Sequence, residues 1–372
     1  MTPTRRIVAA AAILATPFAA VTAQSQGLGL TVRDVGVGIG NVPTVYGIRV
    51  NFRDRGDFDV RGINATIWQP DGEPQGTVTG LALGLPLTGA GRIIGVGAGI
   101  FGVSATDRIT GVGLGGIGLG AGGRLEGIMI GGVGVGAGGD VRGLTLGGIG
   151  VGSGGKLEGI SFGGIGVGAG GQVSGLAVGG VGVGAGGGAK GILIGGIGVG
   201  SGASLRGLAI GGIGVGGGEQ VAGITLAGVG IGAGKTLRGL SIAGIGVGAG
   251  GDVTGLTVAG VGIGSGGTLR WISIAGIGIG APRIEGFAMA SAVGAQDAKA
   301  LIIAPAYMRI DHGTFTGVSA SAFNHVKGTQ RGVTIGVFNY AYQLHGVQLG
   351  LLNYVRDNRA PFRLLPIVNV GH

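Results

Sequence analysis

A few stretches of this sequence have residue types and spacings that could do chemistry. GIGAGKT, from Gly230 to Thr236, resembles a loop that cradles phosphate with backbone amides and a lysine. Such a loop needs a glycine five residues before its Gly-Lys pair, and Val229 stands there. Gly118, Gly120 and Gly123 have the Gly-x-Gly-x-x-Gly spacing of a dinucleotide site. That spacing has meaning only between a strand and a helix, no helical periodicity comes after it, and later units repeat it. His312, His325, His345 and His372 lack metal-ligand spacing. No nucleophile, base and orienting acid come together in the pattern. Catalytic residues, metal ligands and cofactors are therefore assigned to no position, and the chain reads as a non-enzyme.

What must position any functional residue is a repeat. Anchor glycines fall at Gly95, Gly111, Gly127, Gly143, Gly159, Gly175, Gly191, Gly207, Gly223, Gly239 and Gly255, with Trp271 in the twelfth place, at a constant step of 16 residues. Counting the anchor as position 1, aliphatic residues occupy positions 2 and 4 (Leu144, Leu146), 7 and 9 (Ile149, Val151) and 15 (Leu157). Period-two alternation is strand patterning. Its parity changes at the Gly-Gly pair Gly147-Gly148 and again around positions 12 to 1, where glycine or a polar residue marks a corner. Such a unit cannot bury its apolar side chains alone, but stacked neighbours can.

Two builds share this pattern: one coil per repeat in a β-solenoid, or one hairpin per repeat in an outer-membrane β-barrel. Weaker anchors at Gly47, Gly62 and Gly80, and at Gly286, Ala300, Gly317, Gly332 and Gly346, extend the array to 20 units. As hairpins these make roughly 40 short strands, whereas membrane barrels usually have about 8 to 26 strands of about 9 to 11 residues. Charge agrees with the solenoid: position 14 runs Arg124, Asp140, Lys156 and position 16 runs Glu126, Arg142, Glu158, alternating in sign as stacked neighbours would. The expected fold is all-β, an elongated solenoid of about 20 coils. Val151 is expected to face inward and Thr145, at position 3, outward. Ice or carbohydrate binding would want a regular outward row, which position 3 (Met129, Thr145, Ser161, Ala177, Leu193) does not supply.

Composition sets further bounds. With 98 glycines, 45% hydrophobic and 11% charged residues, the chain is too apolar for a solvated linker. There is no cysteine, so stability comes from stacking. Of the formal charge of +9, Arg5 and Arg6 supply two; the remaining basic residues are scattered along the repeats, which does not support nucleic-acid binding. Residues 1–23 read as a secretory signal: Arg5 and Arg6, an apolar run from Ile7 to Val21, and a small-residue cleavage site at Ala23. The expected plan is then an N-terminal cap with irregular repeats (24–79), the glycine-rich array (80–285) and an aromatic-richer C-terminal section with its cap (286–372).

That last section carries GVTIGVFNYAYQLH from Gly332 and GVQLGLLNYVRDN from Gly346, and closes with LLPIVNVGH. These residues resemble tandem repeats of bacterial surface proteins that read G-(V/L)-Q-(L/I)-G-L-x-N-(Y/V). The resemblance implies a secreted or surface-exposed protein, and it implies no activity. Asn324, Asn339 and Asn353 recur at equivalent places, as a side-chain ladder or a corner hydrogen bond would require.

The functional expectation is a secreted or cell-surface structural or adhesive repeat protein, the runner-up an integral outer-membrane barrel. Self-association, or attachment to cell-surface or membrane components, is the class of partner left open. Gly134, Gly150, Gly166 and Gly182, all at position 8, form the candidate association face, because bare glycine lets another surface approach closely.

Overall fold

The computed structural model describes residues 20–24, 27–68, 70–73 and 75–371. The expected leader, residues 1–23, lies outside the described residues as far as position 19, and His372 lies outside them too. The chain is an all-β solenoid of about 18 turns with a repeat of about 16 residues. It divides into two compact units, Met1–Gly186 and Gly187–His372.

In the first unit, strand β1 (Ala20–Gln24) pairs antiparallel with β2 (Gly27–Val32), which forms a hairpin with β3 (Val35–Gly40). The stack of parallel strands starts where β3 joins β4 (Thr44–Arg53). The expected N-terminal cap thus begins with a hairpin. From Gly47 the anchors run in register, Gly47 to Gly62 to Gly80 to Gly95 to Gly111, and each later unit repeats the register. In the second unit the anchor row runs from Gly191 through Trp271, Gly286 and Ala300 to Gly317. The strand Leu364–Gly371 closes this unit by pairing antiparallel with Gly346–Tyr354. Pairing between successive repeats is parallel, which is the coil-per-repeat build and not the hairpin build. The turns number about 18, close to the 20 expected.

Each regular repeat supplies a long strand, as in Leu157–Gly163, and a short one, as in Gly166–Ala169. The anchor glycine makes the first corner: φ is +116° at Gly143 and +118° at Gly159, a region that L side chains rarely adopt. Residues 16, 1 and 2 then succeed one another along the outside. This overturns one expected facing. Thr145 is 0% exposed, and Met129, Ser161, Ala177 and Leu193 are buried with it. Position 3 is an interior row, and positions 2 and 4 are the outward ones. Val151 faces inward as expected, at 4% exposure, but Ile149 does not share its side: position 7 sits in the bend and is 50% exposed.

Candidate functional site

The outward rows define three surfaces. The first is apolar. Ile128, Ile160, Ile192 and Ile224 at position 2, and Ile130, Phe162 and Ile242 at position 4, are exposed. At position 7 the row Ile117, Val133, Ile149, Ile165 and Val181 is exposed in the first unit, as is Ile197, Ile213, Val229, Ile245, Val261 and Ile277 in the second. In the first unit, position 4 borders an open apolar groove of about 550 Å³, lined by Ile130, Leu146, Phe162, Val178 and the glycines next to them.

The second surface is the corner at positions 13 to 16, which holds every charged residue of the regular units from Gly111 to Arg270. Arg142 lies 3.0 Å from Glu158, 3.3 Å from Asp140 and 3.9 Å from Glu126, so the sign alternation read in the sequence is a chain of ion pairs. The backbone N–H of Lys156 donates to Asp140 Oδ1 at 2.9 Å, and this bond chiefly holds the Asp140 carboxyl below its ordinary range. Lys235 belongs to the same corner: its Nζ donates to Glu219 Oε1 at 2.7 Å, which lowers the Glu219 pKa. The Gly-Lys-Thr sequence is therefore a corner of the repeat. Gly118 and Gly120 lie on the short strand Gly118–Ala121, and the next element along the chain is another strand, Arg124–Gly131, in place of the helix a dinucleotide site requires.

The third surface is the glycine strip at positions 8 and 10. Gly134, Gly150, Gly166 and Gly182 lie in register on consecutive short strands. A Cβ built on Gly134, Gly150 or Gly166 meets only the next glycine's carbonyl oxygen, at 3.4 to 3.6 Å, and one on Gly152 meets nothing within 4 Å. Glycine at these positions is not dictated by crowding or by a positive φ. At Gly148, in the bend, an added Cβ would collide with the Gly132 carbonyl.

The C-terminal section is organised differently. Asn324, Asn339 and Asn353 are fully buried and bonded to one another, so the recurrence seen in the sequence is a ladder. Outside it, Tyr307, Phe323, His325, Phe338, Tyr340 and Tyr354 pack ring against ring, with centroids 5.1 to 6.2 Å apart. His325 Nδ1 shares a 2.9 Å hydrogen bond with the Tyr307 hydroxyl. Burial, assisted by Lys327 and Arg309, lowers the His325 pKa. His312 occupies a turn at positive φ, and His345 is exposed elsewhere.

Sequence reasoning missed positions 2, 4 and 7 as a surface. A signal for it was present: a thin coil has no room inside for five aliphatic rows. Comparison with known protein families, with curated proteins and with solved structures gave no match for this chain.

Proposed function

We propose that this protein is an exported, non-catalytic scaffold that attaches at a cell surface or membrane through its outward rows. The observation that carries this reading is the separation of exposed aliphatic side chains at positions 2, 4 and 7 from the charged corner at positions 13 to 16. Exposed apolar patches of this extent are attachment surfaces in soluble proteins. The glycine strip is the second face of the reading, and it serves close self-association.

Fractionation of cells producing the full chain, with and without an alkaline carbonate wash, tests it. The expected result is recovery with the envelope and release by the wash. Recovery in the cytosol would overturn export and attachment together, while resistance to the wash would favour an integral membrane protein.

A further inference from the structure

We propose that the apolar strip is a lipid-contact face: positions 2, 4 and 7 enter the acyl region of a bilayer leaflet while positions 13 to 16 stay in water. This deepens the attachment reading and rests on it. Several independent features identify lipid, and not a second copy, as the occupant.

The first is composition. From Gly95 to Arg270 the strip is Ile, Leu and Val with Ala98 and two phenylalanines, Phe101 and Phe162, and no arginine, tyrosine or methionine projects from it. Protein interfaces concentrate Tyr, Trp and Arg at their centres.

The second is the backbone. Hydrocarbon offers no hydrogen bonds, so chain that touches it must satisfy its own amides. At the apolar bend it does: Gly148 N donates to Gly131 O at 3.1 Å, Ile149 N to Val133 O at 2.6 Å, and Gly150 N to the same oxygen at 3.2 Å. The bend Gly212, Ile213, Gly214 in the second unit is bonded in the same way.

The third is Trp271. It replaces glycine in the anchor row, at φ +84°, a conformation costly for a bulky residue, and it is 70% exposed. Its neighbours along the chain are Arg270, a charged corner residue at position 16, and Ile272, in the apolar strip at position 2. A tryptophan held on the border between charged and aliphatic rows matches the preference of its ring for the bilayer interface. The groove along position 4 runs with the stack and has the apolar lining an acyl chain requires.

The chain has two tryptophans, so Trp68→Phe leaves Trp271 as the only emitter. This variant is mixed with neutral phosphatidylcholine vesicles, with and without brominated acyl chains. We expect a blue shift, quenching by the brominated lipid, and flotation with vesicles that persists in high salt. Replacing Ile197, Ile213, Ile245 and Ile277 by Gln should lower vesicle affinity at least about tenfold, since binding scales with buried apolar area. Trp271→Gly should raise the melting temperature and lower the affinity, a pair of effects that a merely structural tryptophan would not give. Circular dichroism checks that each variant folds. If the quadruple variant does not fold, quenching of Trp271 decides alone.

Absence of quenching overturns the proposal, as does binding confined to anionic vesicles at low salt. A lipid-free dimer abolished by the Gln substitutions overturns it in favour of a second copy. Envelope recovery without vesicle binding leaves the attachment reading standing and removes this one. Vesicle binding by a protein found in the cytosol does the reverse.

Discussion

Asn339 donates through Nδ2 to Oδ1 of Asn353 at 2.7 Å, in a part of the second unit that water does not reach. Asn339 also accepts from Asn324 at 2.7 Å and donates to Leu349 O at 3.0 Å. Replacing it by Leu leaves Asn353 Oδ1 buried without its donor, which costs about 1 to 3 kcal/mol, and removes two further bonds, from Asn324 Nδ2, which keeps Ile335 O, and to Leu349 O. We expect Asn339→Leu to destabilise the chain by about 2 to 5 kcal/mol in denaturant unfolding. A loss within about 0.5 kcal/mol, the usual range of a surface change, would show that the ladder contributes nothing.

The interior row at position 3 gives a contrast of opposite sign. Thr145 Oγ1 and Thr257 Oγ1 are buried without a hydrogen-bond partner among the described residues. Thr145→Val keeps the shape and removes an unpaired hydroxyl, so it should be neutral or stabilise by up to about 1 kcal/mol. Thr145→Asp should cost about 3 kcal/mol or more, because it buries an unpaired charge. Thermal unfolding of the two variants reads the difference, and equal melting points would place position 3 at the surface.

Glycines that look alike in the sequence should respond oppositely to alanine. At Gly143, φ is +116° and an added Cβ would strike the Gly127 carbonyl, so Gly143→Ala should cost roughly 1 to 3 kcal/mol. Gly152 has negative φ and open space, and Gly152→Ala should stabilise by about 0.4 to 1 kcal/mol through the unfolded chain. Chemical denaturation of both single variants is sufficient to test this.

His325 makes the C-terminal section sensitive to pH. Its pKa is lowered, first by burial and then by Lys327 and Arg309, with Asp311 opposing them. The unfolded chain therefore binds the proton more tightly than the folded one, so stability is fully present above the ordinary histidine value of about 6.5 and falls as pH drops through it. Asp311 also has a lowered pKa, owed mainly to Arg309, and its stabilising effect disappears only further down, through the ordinary carboxylate range. Melting temperature measured from about pH 7.5 to about pH 5, a window that spans the ordinary histidine value, should fall for the parent and stay flatter for His325→Phe. Parallel curves would assign the dependence to other groups.

Register was legible in the sequence, because Gly127, Gly143 and Gly159 repeat at an unvarying step and parallel stacking preserves it. Ion pairing around Arg142 was legible from sign alternation, and the Asn ladder from its recurrence. Facing was not: strand parity assumes continuous pleating, and the positive φ of each anchor and the bend at Ile149 interrupt it. Thr145 and Ile149 were misplaced for that reason. Nor could the sequence show that Arg49 and Asp54 form a buried pair at 3.1 Å with Phe58 stacked 4.5 Å from the guanidinium, since their spacing falls in an irregular repeat. The apolar strip is hidden for the same reason, since continuous parity places its aliphatic residues in the interior.

The hairpin of β2 and β3 bears on how the molecule forms. It closes through a two-residue turn at Arg33 and Asp34, both at positive φ, so its pairing uses no residue beyond Gly40. Its outer strand β3 offers the edge on which β4 pairs in parallel, and each new coil then offers the same edge to the next. A chain made from its N-terminus can therefore fold behind the point of synthesis, each coil templated by the last, with the unpaired edge always at the growing end until Leu364–Gly371 seals it.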